Sequence, residues 1–295
     1  MNTEMAYLLG MICGNGEIKR SNINTTVSVD IPHKKLETEN FNDVKVYVKA
    51  SVTDIRAILE PLIGAEMQFI QQKSSSVLSF TKPNADYLVR QILRYTGNGT
   101  THETIRLDSA VFSATANERR AFLRGFADVT GYIRRSNYFF QKYKHRVYIE
   151  VPHNWGLAID VCNMLKSLDI PVQTIDWAHP NMRDGDLTKY NSGSPDFWKK
   201  EHQIKIWANE FEPIGFGIIH KRESLASFAN ELRNGFKIHG YIAFDATHKF
   251  YWELRDIHKN RPHHPSESDE SIPASIRGKH YNSWREIAND LGYGE

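Results

Sequence analysis

Ala121-Phe122-Leu123-Arg124-Gly125-Phe126-Ala127-Asp128-Val129-Thr130-Gly131-Tyr132-Ile133 has a twin about a hundred residues upstream, Ala6-Tyr7-Leu8-Leu9-Gly10-Met11-Ile12-Cys13-Gly14-Asn15-Gly16-Glu17-Ile18. Each copy carries a Leu–x–Gly core, an apolar run and a closing Gly. A segment then ends in a basic pair, Lys19-Arg20 in one case and Arg134-Arg135 in the other. Self-similarity of this kind means two similar structural units in one chain. Ala6, Gly10 and Gly14 fall four apart, as do Ala121 and Gly125, so each helix has one nearly bare side. Bare stripes let two backbones approach closely. The pair therefore predicts two helices that cross on these stripes and bring their C-terminal ends together. An ordinary amphipathic core helix would account for one copy, and much less readily for two.

Aligned on a nine-residue pattern, Leu8–Gly16 and Leu123–Gly131, the copies resemble the signature helices of the LAGLIDADG family, the homing-endonuclease fold. Asn117-Glu118-Arg119-Arg120, Ile214-Gly215-Phe216 and His220-Lys221-Arg222-Glu223-Ser224-Leu225 are similar to the flanks of such domains. The resemblance spans residues 1 to about 234. It implies a pseudo-twofold single chain whose helix ends sit over the minor groove of duplex DNA. It also implies that the acidic residue before each final Gly binds the metal ions that cleave the backbone.

Here the sequence departs from the pattern. The positions of those acids hold Asn15 and Thr130, and Mg²⁺ prefers anionic oxygen to an amide or a hydroxyl. Asp128 lies two residues earlier, which at about 100° per residue turns it to the opposite side of the helix. Glu17 follows the helix and lies outside it. Asp128 and Glu17 are thus the candidate catalytic acids only under a non-standard arrangement, and Mg²⁺ is expected only if cleavage is retained. A carboxylate at a helix C-terminus costs roughly 0.3–1 kcal/mol through the dipole, so neutral residues there make structural sense without a metal. Asn15 before Gly16 reads as a helix end with Gly16 in a left-handed conformation.

Composition is compatible with that reading. The chain has 295 residues, room for a pseudo-dimer plus an extension. Its 37 Lys and Arg against 35 Asp and Glu leave a net charge of +2, so a DNA-binding surface must come from placement. No apolar run reaches membrane-spanning length, and the N-terminus lacks a signal pattern. Cys13 and Cys162 fall in predicted helices and read as buried free thiols in a reducing, cytoplasmic setting.

In Val44-Lys45-Val46-Tyr47-Val48-Lys49 the alternation predicts a strand showing Lys45, Tyr47 and Lys49 on one face. Arg146-Val147-Tyr148-Ile149-Glu150-Val151 repeats it, presenting Arg146 and Tyr148. With Lys19, Arg20, Arg134, Arg135, Lys142 and Lys144 these are the candidate DNA contacts, suited to phosphates and base edges in the major groove. A solvated sheet face is the competing explanation.

The fold class is α+β: two αββαββα units related by a pseudo-twofold, plus a C-terminal extension. Unit 1 covers 1–98, a linker 99–116, unit 2 117–234 and the extension 235–295. In unit 1 a helix to about 14 precedes strands near 17–31 and 43–51. A helix over Thr53–Ile63 ends at Gly64, strands near Met67–Gln72 and Val77–Thr81 follow, and a helix covers Asn84–Tyr95. In unit 2 strands near 132–141 and 145–152 precede a helix near Asn154–Leu168. Strands near Val172–His179 and Gln203–Trp207 and a helix near Lys221–Arg233 complete it. Between the last two strands, Pro180–Lys200 forms a long polar loop, of a length that is often functional or disordered. The extension holds six histidines without metal-ligand spacing, and Ser283 with Glu286 caps a short terminal helix. No phosphate-binding Gly loop, Ser-His-Asp order or paired-Cys zinc pattern is present.

Three functions fit. The first is site-specific recognition of double-stranded DNA by a monomeric pseudo-dimer, with standard cleavage lost or altered. The second is an active site-specific endonuclease, of homing or restriction type, using Asp128, Glu17 or a residue of the extension. The third is a protein-interaction scaffold.

Overall fold

The computed structural model describes residues 1–39, 41, 43–135, 145–151, 154–170, 172, 174–176, 202–239, 278–279 and 290. Helix α1 (Thr3–Asn15) opens with Asn2, whose side chain accepts from the Met5 amide. It runs directly into β1 (Gly16–Arg20), which pairs antiparallel with β2 (Asn24–Pro32). Then come α2 (Val44–Ile63), β3 (Gln68–Gln71), β4 (Ser75–Pro83) and α3 (Tyr87–Tyr95). A short helix α4 (Ser109–Phe112) leads to α5 (Ala116–Thr130), opened by a capping box between Thr115 and Glu118. The second unit continues with β5 (Gly131–Arg135), β6 (His145–Val151), α6 (Trp155–Lys166), β7 (Thr174–Asp176) and β8 (His202–Trp207). It ends with α7 (Ala208–Phe211) and α8 (Ile219–His239).

The two sheets have one topology. Their strand orders are β1-β2-β4-β3 and β5-β6-β8-β7, all antiparallel. The registers match too: Gly16 lies opposite Val29, and Gly131 lies opposite Ile149.

Helices α1 and α5 cross in the centre, and the crossing is reciprocal. A Cβ on Gly10 would fall on the Phe122 carbonyl oxygen, and one on Gly125 would fall on the Tyr7 carbonyl oxygen. Residue 7 corresponds to 122, and residue 10 to 125, so each helix makes the same contact with its twin. That is the signature of a twofold axis. Glycine is required at both places because the backbones themselves are in contact. Around the crossing Leu8, Met11, Ile12, Leu123 and Phe126 are all fully buried, and the apolar faces of both sheets join the same core.

Three expectations need correction. Residues 43–51 are not a strand. Asp43 caps α2 by accepting from the Lys45 and Val46 amides, and the helix continues to Gly64 in a left-handed cap. The apolar pattern is helical over the longer span, with Tyr47, Ser51, Ile55 and Leu59 on a buried stripe, while Val44 and Val46 of the alternating run are exposed. The partner of β1 is instead β2, after a turn at residues 21–23. Gly16 is extended, at φ −106° and ψ 164°, rather than left-handed, since the helix passes straight into a strand. The stretches around Lys142 and Lys144, Pro180–Lys200 and the histidines of the extension other than His239 lie outside the described residues, as does the terminal helix apart from Asp290.

Candidate nucleic-acid interface

One face of each sheet packs on the helices and the other points away from them. In β2 the residues Thr25, Val27, Val29 and Ile31 are buried, so Asn24, Thr26, Ser28 and Asp30 form the outer face. The register aligns Glu17 with Ser28 and Ser79, and Lys19 with Thr26 and Thr81. Lys19 is exposed and bonded to Glu17 at 2.8 Å, and Arg20 at the end of β1 is also exposed. Small hydroxyl and amide groups with a few cations make this face open and polar.

The equivalent face of the second sheet has different chemistry. Tyr132 and Tyr148, opposite each other, stack with centroids 5.3 Å apart. The Arg146 guanidinium lies 4.2 Å over the Trp207 ring, and Lys205 lies 5.6 Å from Tyr148. Glu150 accepts from the Tyr132 hydroxyl at 3.1 Å and pairs with Lys35 of the first unit. Arg146 and Tyr148 were expected on an exposed basic face, yet they are 3% and 8% exposed. The cations here pair with rings, a favourable arrangement once water is excluded. Arg134 is half-buried and Arg135 exposed, the latter 3.6 Å from Glu39. Lys45 and Lys49 are exposed on α2, while Tyr47 is turned into the core at 3% exposure.

At the helix ends the geometry is specific. The Asn15 amide donates to the Asp30 carbonyl at 2.7 Å, and the Thr130 hydroxyl donates to the Phe126 carbonyl at 2.7 Å. The resemblance implies metal ions at these positions, and the residues do not fit them. Both side chains are neutral and each donates its hydrogen to a backbone oxygen, whereas Mg²⁺ sites are normally anchored by one or two carboxylates. Among the described residues no three His, Cys, Asp or Glu side chains form a set able to hold a metal.

Asp128 is fully buried. Its Oδ2 accepts from the Tyr7 hydroxyl at 2.7 Å and from the Gly217 amide at 2.8 Å. Lys221, 1% exposed, lies 3.9 Å from its Oδ1 and donates to the carbonyls of Ala127, Asp128 and Gly131 at 3.0–3.2 Å. Burial pushes the Asp128 carboxyl up, opposed by Lys221, and pushes the Lys221 ammonium down to about 7, opposed by Asp128. A cation thus caps the C-terminus of α5 from the core side, where the helix dipole is negative.

Sequence reasoning missed Lys221, Asp30 and Glu150. Asp30 and Glu150 occupy corresponding positions, one residue beyond the partners of Gly16 and Gly131. Glu17 and Asp30 line a cleft of about 580 Å³ at the end of α1, together with Asn15, Lys19, His102 and Glu103. Only the strand register could reveal this equivalence, and the register depends on a turn length that differs between the units.

No protein-family model and no curated protein matches the sequence. Solved structures do. I-DmoI in complex with DNA and Mn is 15% identical over 69% of this chain and 89% of that one, with a TM-score of 0.38. The LAGLIDADG homing endonuclease I-GzeII, in complex with its DNA target, is 7% identical over 81% and 93%, with a TM-score of 0.42. The LAGLIDADG meganuclease I-AabMI bound to uncleaved DNA is 9% identical over 80% and 92%, with a TM-score of 0.39. Likenesses this distant add nothing to the geometry above. LAGLIDADG homing endonucleases are among the solved structures that this chain is similar to, and its own reciprocal crossing and twice-repeated sheet order make it an α+β single chain of two like units.

Proposed function

We propose that the protein recognises a specific site on double-stranded DNA and does not cleave it by the metal-dependent route of its structural type. The commitment of Asn15 and Thr130 to backbone carbonyls carries this reading. The crossing that aims two sheets at one side of a duplex is kept, while the groups that would ligate metal are replaced. The outer face of the first sheet supports recognition: hydroxyls and amides match base edges, and Lys19 and Arg20 match phosphates. Asp128 serves the core in this account, as a buried link between α1, α5 and α8.

A second reading, an endonuclease with a non-standard acid set, has one observation in its favour. Glu17 and Asp30 both line the cleft at the end of α1. Selection from randomised duplexes with the full chain separates the two. The expected result is one enriched sequence whose strands stay intact with Mg²⁺ or Mn²⁺. Cleavage that Asp30→Asn or Glu17→Gln abolishes would establish the second reading, and absence of any enriched sequence would reject both.

A further inference from the structure

Resting on the duplex-recognition reading, the outer face of the first sheet also indicates which base feature it reads. The register puts Ile70, Val77 and Asp30 in one row across β3, β4 and β2. Ile70 is 58% exposed and Val77 partly so. They form an apolar pair on a face whose neighbouring rows are hydroxyls, amides and charges. The two edges of this sheet are also treated differently. The β1 edge is covered, since the Ile18 amide donates to the Thr100 carbonyl and the His102 amide to the Gly16 carbonyl. Among the described residues the β3 edge pairs only with β4, and all four of its residues are exposed and uncharged. Proteins normally blunt such an edge with charge, so an exposed Ile here calls for an occupant.

The geometry points to a thymine: Ile70 and Val77 contact the 5-methyl group of a T·A pair in the major groove, making Ile70 a specificity-determining residue. The methyl is the apolar feature of that groove, where base edges otherwise offer donors and acceptors. The occupant is duplex DNA because exposed Lys19, Arg20 and Lys73 surround the face. These cations match phosphates flanking the groove, and the acids of the face are Glu17, held by Lys19, and Asp30, in the row of Ile70 and Val77.

The test uses the full chain and its selected duplex, with each thymine replaced in turn by deoxyuridine, which removes only the methyl. The wild type should lose about fourfold in affinity at one position or two neighbouring ones, the worth of one buried methyl. Ile70→Ser, a change at an exposed position, should remove that dependence and leave affinity for the uracil duplex near the wild-type value. Specific binding with the same uracil profile in both proteins would overturn this inference and leave the recognition reading standing. Loss of all sequence-specific duplex binding would overturn both. Self-association that Ile70→Ser abolishes would assign the strand to a second copy and reject the thymine contact.

Discussion

A lysine with its amine 1% exposed is costly unless its charge is used, and Lys221 uses it three times on the carbonyls ending α5 and once on Asp128. Lys221→Met should therefore destabilise the protein by about 3 kcal/mol or more, measured by urea unfolding below pH 7 where the folded amine is charged, because it leaves a buried carboxylate without its cation. The pH dependence follows from the depressed amine. Below about pH 7 folded and unfolded chains both hold the proton. Between about 7 and the usual 10.5 the unfolded chain keeps a proton that the folded protein has lost, so stability from this group rises with pH. The buried thiols of Cys13 and Cys162 act in the opposite sense, since burial raises both and the folded state retains their protons. They are common to wild type and variant, so the gap in stability between the two should widen from pH 7 to pH 10; a constant gap would contradict the assignment. Asp128 shows what a sequence hides. It reads as an acid beside a metal-binding position, but its partners Gly217 and Lys221 arrive from about ninety residues away.

At the scale of elements, the repeated helix was legible because its glycines have one physical purpose. Gly10→Ala or Gly125→Ala should cost about 3 kcal/mol or more, because the added methyl would occupy the space of a backbone carbonyl on the opposite helix. Denaturant unfolding reads this directly, and a loss near zero would mean that the helices do not cross where described. The alternation of valines over six residues imitates a strand in 43–51, although Val44 and Val46 are exposed on the helix and only Val48 is buried. Only the longer stripe from Tyr47 to Leu59, with the Asp43 cap, decides for helix. The correction has a consequence for binding. Lys45 and Lys49 belong to a helix on the core side of the sheet, so Lys45→Ala and Lys49→Ala should leave DNA affinity unchanged within twofold, whereas Lys19→Ala should weaken it.

Across the described molecule the twofold holds in strand order and is broken in chemistry. The first sheet offers an open polar face; the second carries stacked rings and paired cations that are nearly all buried. The strand order was legible from the repeat, but this asymmetry was not, because Arg146 and Tyr148 take Trp207 and Lys205 as partners from a strand far along the chain. Recognition should accordingly rest mainly on one half of the site. The most direct measurement is the affinity of the full chain for its selected duplex as a function of salt, for wild type and Lys19→Ala. Log affinity should fall linearly with log salt, with a slope shallower by about one in the variant, as one phosphate contact is removed. A salt-independent affinity, or equal slopes for the two proteins, would contradict a duplex seated on the first sheet.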